Sequence, residues 1–126
     1  MNINYILIIE LIKMANSLPI TLEFKAENLL NKDTFSKSDP MLIMYKLSPK
    51  QAGFSFKPEK GNFNSAEVFR TERIKDNLNP HWSKTLTCEY RFEEEQWLFL
   101  QVLDIDEKHS ANVSDQDFLG GLITTI

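Results

Sequence analysis

Phe69 to Asp106 reads FRTERIKDNLNPHWSKTLTCEYRFEEEQWLFLQVLDID, and its three parts set the fold class. RTERIKDNLNPHW, Arg70 to Trp82, closes on Asn79-Pro80, a turn former because Asn tolerates unusual backbone angles and Pro fixes φ. Trp82, two residues on, is placed to anchor that turn in a core. Next, Leu86, Cys88, Tyr90 and Phe92 alternate with Thr85, Thr87, Glu89 and Arg91, the period of a half-buried strand. Leu98, Leu100 and Val102 then alternate with Phe99, Gln101 and Leu103, and this second strand ends in Asp-Ile-Asp.

The same periods extend outward in both directions. Ile20, Leu22, Phe24 and Ala26 alternate with Thr21, Glu23 and Lys25, which predicts a strand. Met41 to Leu47 is a continuous apolar run suited to a central strand, and Ala66 to Arg70 reads as a short one. Between them, Ser48 to Asn64 carries two Pro and two Gly and is expected to be a long loop or irregular hairpin. Phe118 to Ile126 reads as the last strand. Six strands, long polar loops and no helical period predict an all-β antiparallel sandwich.

With 126 residues and 42% apolar side chains, the chain has the size and composition of one folded domain. A net charge of −4 argues against nucleic acid as a partner. Cys88 is the one cysteine, which excludes an internal disulfide and a Cys-rich zinc site and fits a reducing compartment. Residues 1–14 form a separate leader, with an apolar run YILIIELI from Tyr5 to Ile12. That run is too short to span a bilayer, and Glu10 breaks it as a secretory h-region. Residues 15–126 are expected to be the domain proper. The chain stops at Ile126 on an apolar strand, so the sandwich is expected to lack one or two C-terminal strands. His81 and His109 lie in separate loops, and no arrangement of nucleophile and base suggests a catalytic centre.

Aspartates concentrate at two strand ends. Asp33 and Asp39 precede the Met41 strand, while Asp104, Asp106 and Asp117 flank the loop before DFLG. In a strand-end Asp-x-Asp, both carboxylates project to one side, and the Ile105 carbonyl adds an oxygen between them. Crowded carboxylates repel unless a hard cation joins them, and Ca2+ takes six to eight such oxygens. An EF-hand is excluded because Lys108 and His109 stand where that loop needs Asp and Gly. Asn112-Val113-Ser114 matches a glycosylation sequon, which a cytosolic protein would not use.

LLNKDTFSKSDPMLIMY (Leu29 to Tyr45), the LNPHW turn, and DID with DFLG together resemble a C2 domain, from about Leu18 to Ile126. Phe69 to Asp106 more narrowly resembles the first C2 domain of copines, which also carry a second C2 domain and a von Willebrand A-type domain. The resemblance implies a C2-type β-sandwich whose calcium-binding aspartates are Asp33 and Asp39 in loop 1 and Asp104, Asp106 and Asp117 in loop 3. Loop 3 is long, and Asp115 is the alternative to Asp117 as its last ligand. It further implies Ca2+ as cofactor and recruitment from cytosol to anionic phospholipid at the plasma membrane or another cytosol-facing membrane. Phe35 and Val113 are candidates to enter the bilayer, and Arg70, Arg73, Lys75 and Lys84 for a basic patch. The alternative reading is a protein-interaction adaptor that works without Ca2+, or a truncated copine paralogue without function.

Overall fold

The structure, a computed structural model, describes residues 16–31, 35–48, 67–106 and 116–126. Among these residues there are six strands and no helix. They are β1 (Ser17–Leu22), β2 (Pro40–Leu47), β3 (Glu67–Arg70), β4 (Leu86–Arg91), β5 (Trp97–Asp104) and β6 (Asp117–Thr125). β1 and β4 form one sheet, and the other runs β3-β2-β5-β6, with every pairing antiparallel. The expected all-β sandwich is therefore the observed architecture. The leader and most of the Ser48–Asn64 stretch lie outside the described residues.

Apolar side chains from both sheets meet in one core: Leu22, Phe24 and Leu86 pack with Leu42, Met44, Phe69, Trp82, Leu98, Val102 and Leu119. Phe24 and Phe69 stack with ring centroids 5.3 Å apart. A second cluster lies on the opposite face of the larger sheet, where Met41, Ile43, Tyr45, Leu47, Phe99, Leu103 and Ile105 are all buried. β2 and β5 are thus covered on both faces, which is why their sequences are nearly continuous in apolar residues rather than strictly alternating. The polar member of that face, Gln101, is buried with its Oε1 accepting from the Tyr45 hydroxyl. Gly121 on β6 is required by close approach, since a Cβ there would lie 2.7 Å from the Phe99 ring.

The Asn79-Pro80 turn is built differently from expectation. Asn79 is not among the described non-glycine residues with positive φ, which are Asn28, Asp76 and Glu93. Its contribution is a side-chain oxygen that accepts the Asn28 N–H at 2.9 Å. Trp82 is buried as expected; its indole N–H donates to the Pro40 carbonyl and its backbone N–H to that of Phe24.

The first strand also departs from its predicted bounds. It begins at Ser17 and ends at Leu22, although Phe24 and Ala26 still face the core. Pairing resumes only as a bridge between Lys25 and His81, with Ser83 and Lys84 bulging out between. The amides of that bulge are satisfied by Glu72, whose carboxylate accepts from the Ser83 N–H at 2.6 Å, the Ser83 hydroxyl at 2.8 Å and the Lys84 N–H at 3.1 Å. Desolvation works to raise the Glu72 pKa, but these hydrogen bonds outweigh it and hold the group down at about 2. A depressed carboxylate pKa stabilises the fold fully above the unfolded value, and that contribution is lost as pH falls toward the folded one. Glu72→Gln is therefore expected to flatten the acid limb of stability between about pH 4.5 and 2. The effect is on the order of 1 kcal/mol after allowance for solvent screening. Thermal melts of both proteins across that range test it, and parallel acid limbs would contradict the role given to Glu72.

Candidate cation site at one end of the sheet

Four chain segments converge where β2 and β6 begin and β3 and β5 end. The register pairs Pro40 with Asp104 and Asp104 with Asp117, so these strand ends lie side by side. Asp39, just before β2, donates its backbone N–H to Asp104 Oδ1 at 2.7 Å, and its carbonyl accepts the Ile105 N–H at 3.1 Å. Loop 1 and loop 3 are thus joined through Asp39 and Asp104. Asp117, opposite Asp104, is exposed. Asp106 is exposed too, and its N–H donates to the buried Gln116 side chain at 2.7 Å, closing the base of loop 3. Asp33, Val113 and Asp115 lie outside the described residues.

The segment that follows β3 lies against loop 1, and the strand periods do not single it out. Residues 71–79 run along loop 1, tied by Ile74 N–H to the Pro40 carbonyl, Asn77 N–H to that of Ser38 and Leu29 N–H to that of Leu78. Asp76 turns there with φ of 50° and donates its N–H to Asp39 Oδ1 at 2.7 Å. The Lys-Asp-Asn triplet offered a signal, because Asp and Asn are the residues that accept left-handed backbone at a turn. Arg73 Nη1 lies 3.7 Å from Asp39 Oδ2.

The remaining candidates have varied company. Phe35 is fully exposed and, with Asn31, Ser36, Lys37 and Asp76, lines an open cleft of about 510 Å³. Arg70 is paired with Glu67, and the Lys84 ammonium lies 5.3 Å from the centroid of the Phe69 ring. Lys75 is exposed. Cys88 is a free thiol, half-buried on β4.

Asp39, Asp104, Asp106, Asp117 and the neighbouring carbonyls offer oxygen only, the donor chemistry suited to a hard cation such as Ca2+. Among the described residues, no group of three or more His, Cys, Asp or Glu side chains is gathered closely enough to hold a metal ion. The juxtaposed part of the set is Asp39 with Asp104.

Similarity to known proteins decides the family. The C2 domain profile matches residues 22–126. The chain belongs to the C2 domain family. As a C2 domain it is 35% identical over 114 residues to Protein BONZAI 2 of Arabidopsis thaliana, covering 85% of this chain and 17% of that protein. It is 39% identical over 101 residues to Copine-E of Dictyostelium discoideum, covering 75% of this chain and 15% of that protein. The chain therefore spans about a sixth of the length of these relatives. Among solved structures the C2 fold recurs in BON1-C2B, with a TM-score of 0.61 and 21% identity over 87% of this chain and 65% of that one. It recurs in the calcium-bound pair of C2 domains of Extended-Synaptotagmin 2, with a TM-score of 0.56 and 24% identity over 87% of this chain and 34% of that one. Among the described residues no helix is long and apolar enough to cross a membrane.

Proposed function

We propose that this C2 domain is a binding module, not an enzyme, that docks on anionic phospholipid membranes when Ca2+ is present. The observation that carries the reading is the union of loops 1 and 3, where the Asp39 N–H is held on the Asp104 carboxylate at 2.7 Å. Members of the C2 family bind phospholipid membranes and proteins, and the calcium-bound state of a structural neighbour is in keeping with the oxygen-only donor set here. Asp39, Asp104, Asp106 and Asp117 would hold the ion, with Asp33 from the rest of loop 1. Bound Ca2+ would offset these carboxylates and leave a positive position for lipid phosphate. Phe35, fully exposed on the same loop, would add apolar contact with the bilayer, a side chain whose burial contributes about 1.5–3 kcal/mol. The protein would then move reversibly between cytosol and the plasma membrane or other cytosol-facing membranes.

Co-sedimentation with phosphatidylserine-containing vesicles is the test. The chain is expected to pellet with them in Ca2+ and to stay in the supernatant with chelator. Arg73 beside Asp39, and the lack of a three-carboxylate group among the described residues, favour a second reading: an adaptor that binds a protein partner without Ca2+. Vesicle binding indifferent to chelator, or none in either condition, would shift the balance to it.

A further inference from the structure

Asp39 is bracketed by two groups of the 71–76 segment. Its Oδ1 accepts the Asp76 N–H, and its Oδ2 faces the Arg73 guanidinium at 3.7 Å, with both side chains partly buried. Arg73 is not a loosely held surface cation. Thr71 on one side exchanges hydrogen bonds with Leu42, its N–H donating to the Leu42 carbonyl and its hydroxyl accepting the Leu42 N–H, both at 2.9 Å. Ile74 on the other side donates to the Pro40 carbonyl at 3.1 Å, and Glu72 between them is fixed to Ser83 and Lys84. The backbone around Arg73 is thereby pinned to β2 and to the entry of β4, with its charge directed at a carboxylate of the cation site.

We infer that Arg73 is the resident counter-cation of this site, holding Asp39 in the metal-free protein and setting the threshold at which a divalent cation binds. The inference rests on the Ca2+ reading proposed above. A guanidinium is charged at every pH the protein meets and has no lone pair to offer a metal. A divalent ion on Asp39 must therefore displace Arg73 or accept a like charge beside it. Both weaken ion binding relative to a site without the arginine. Both also favour the metal-free fold, because the carboxylate keeps a partner there.

The experiment compares the native chain with Arg73→Gln, Arg73→Met and Arg73→Lys by calorimetric Ca2+ titration and by melting with and without Ca2+. Arg73→Gln is expected to bind Ca2+ roughly tenfold more tightly, the order expected for one like charge removed from near a divalent ion at water-like dielectric. Its metal-free melting temperature should fall, and the rise on adding Ca2+ should exceed that of the native chain. Arg73→Met, which keeps an apolar stem and loses the charge, should reproduce the gain. Arg73→Lys should return affinity to near the native value. A purely structural role for Arg73 predicts the opposite sign, weaker Ca2+ binding in the neutral variants. Unchanged or weaker affinity in both neutral variants, with native binding intact, overturns the inference and leaves the Ca2+ reading standing. Absence of Ca2+ binding in the native chain and all variants overturns both.

Discussion

Asp104→Asn combined with Asp106→Asn is expected to abolish Ca2+-dependent vesicle pelleting and to lower Ca2+ affinity at least a hundredfold. Asp104 lies at the end of β5 in register with Pro40 and Asp117, and Asp106 follows two residues on at the base of loop 3. Replacing both removes two anionic oxygen donors while leaving amide oxygens of similar size. The fold should survive. The side-chain amide oxygen introduced by Asp104→Asn can still accept the Asp39 N–H that the carboxylate accepts now, and the Asp106 hydrogen bond to Gln116 uses only its backbone. Neutralising two carboxylates at this sheet end also lowers the local negative charge, so the metal-free melting temperature should hold or rise slightly. Calorimetry and a chelator melt separate the two halves. Retained affinity would show that the ion lies elsewhere; a collapsed melt would show that Asp104 and Asp106 serve the fold.

Trp82→Ala should have the largest effect on stability. The indole is 1% exposed within the inter-sheet core, and truncating a buried Trp costs about 3–5 kcal/mol. That is a large share of the roughly 5–15 kcal/mol that holds a typical domain together. The Trp82 indole also donates to the Pro40 carbonyl beside Asp39, so the loss should loosen the cation site together with the core. A fall in melting temperature of roughly 10–20 °C, or loss of a cooperative transition, is expected. Trp82→Phe should cost far less, because Pro40 keeps a second donor, the Ile74 N–H at 3.1 Å. Equal damage from both substitutions would mean that the indole hydrogen bond matters more than the packing.

The strands were legible because their apolar periods are strong. Met41–Leu47 reads as an apolar run and the Leu98–Leu103 stretch as an alternation, and both are central strands largely buried on two faces. The end of β1 was not legible. The alternation through Ala26 persists in the burial of Phe24, but Glu72, well upstream of β4, takes the Ser83 and Lys84 amides out of the ladder. Only a tertiary contact shows that. The aspartates could be read as a group from the two strand ends, and the register that places Asp104 beside Pro40 and Asp117 follows from neighbouring strands meeting there. Asp76 and Arg73 escaped, the first for want of strand periodicity and the second because it reads with Arg70, Lys75 and Lys84 as surface charge. Their place against Asp39 depends on how residues 71–79 lie along loop 1, which pattern alone does not encode.

A crystal structure of the chain grown with Ca2+ tests most directly the claim that these loops hold the ion. The expected result is an ion ligated by the carboxylates of Asp39 and Asp104, with Asp106 or Asp117 completing the protein ligands and Arg73 drawn away from Asp39. An ion bound elsewhere, or full Ca2+ in solution with Arg73 still on Asp39 and no ion between loops 1 and 3, would contradict it.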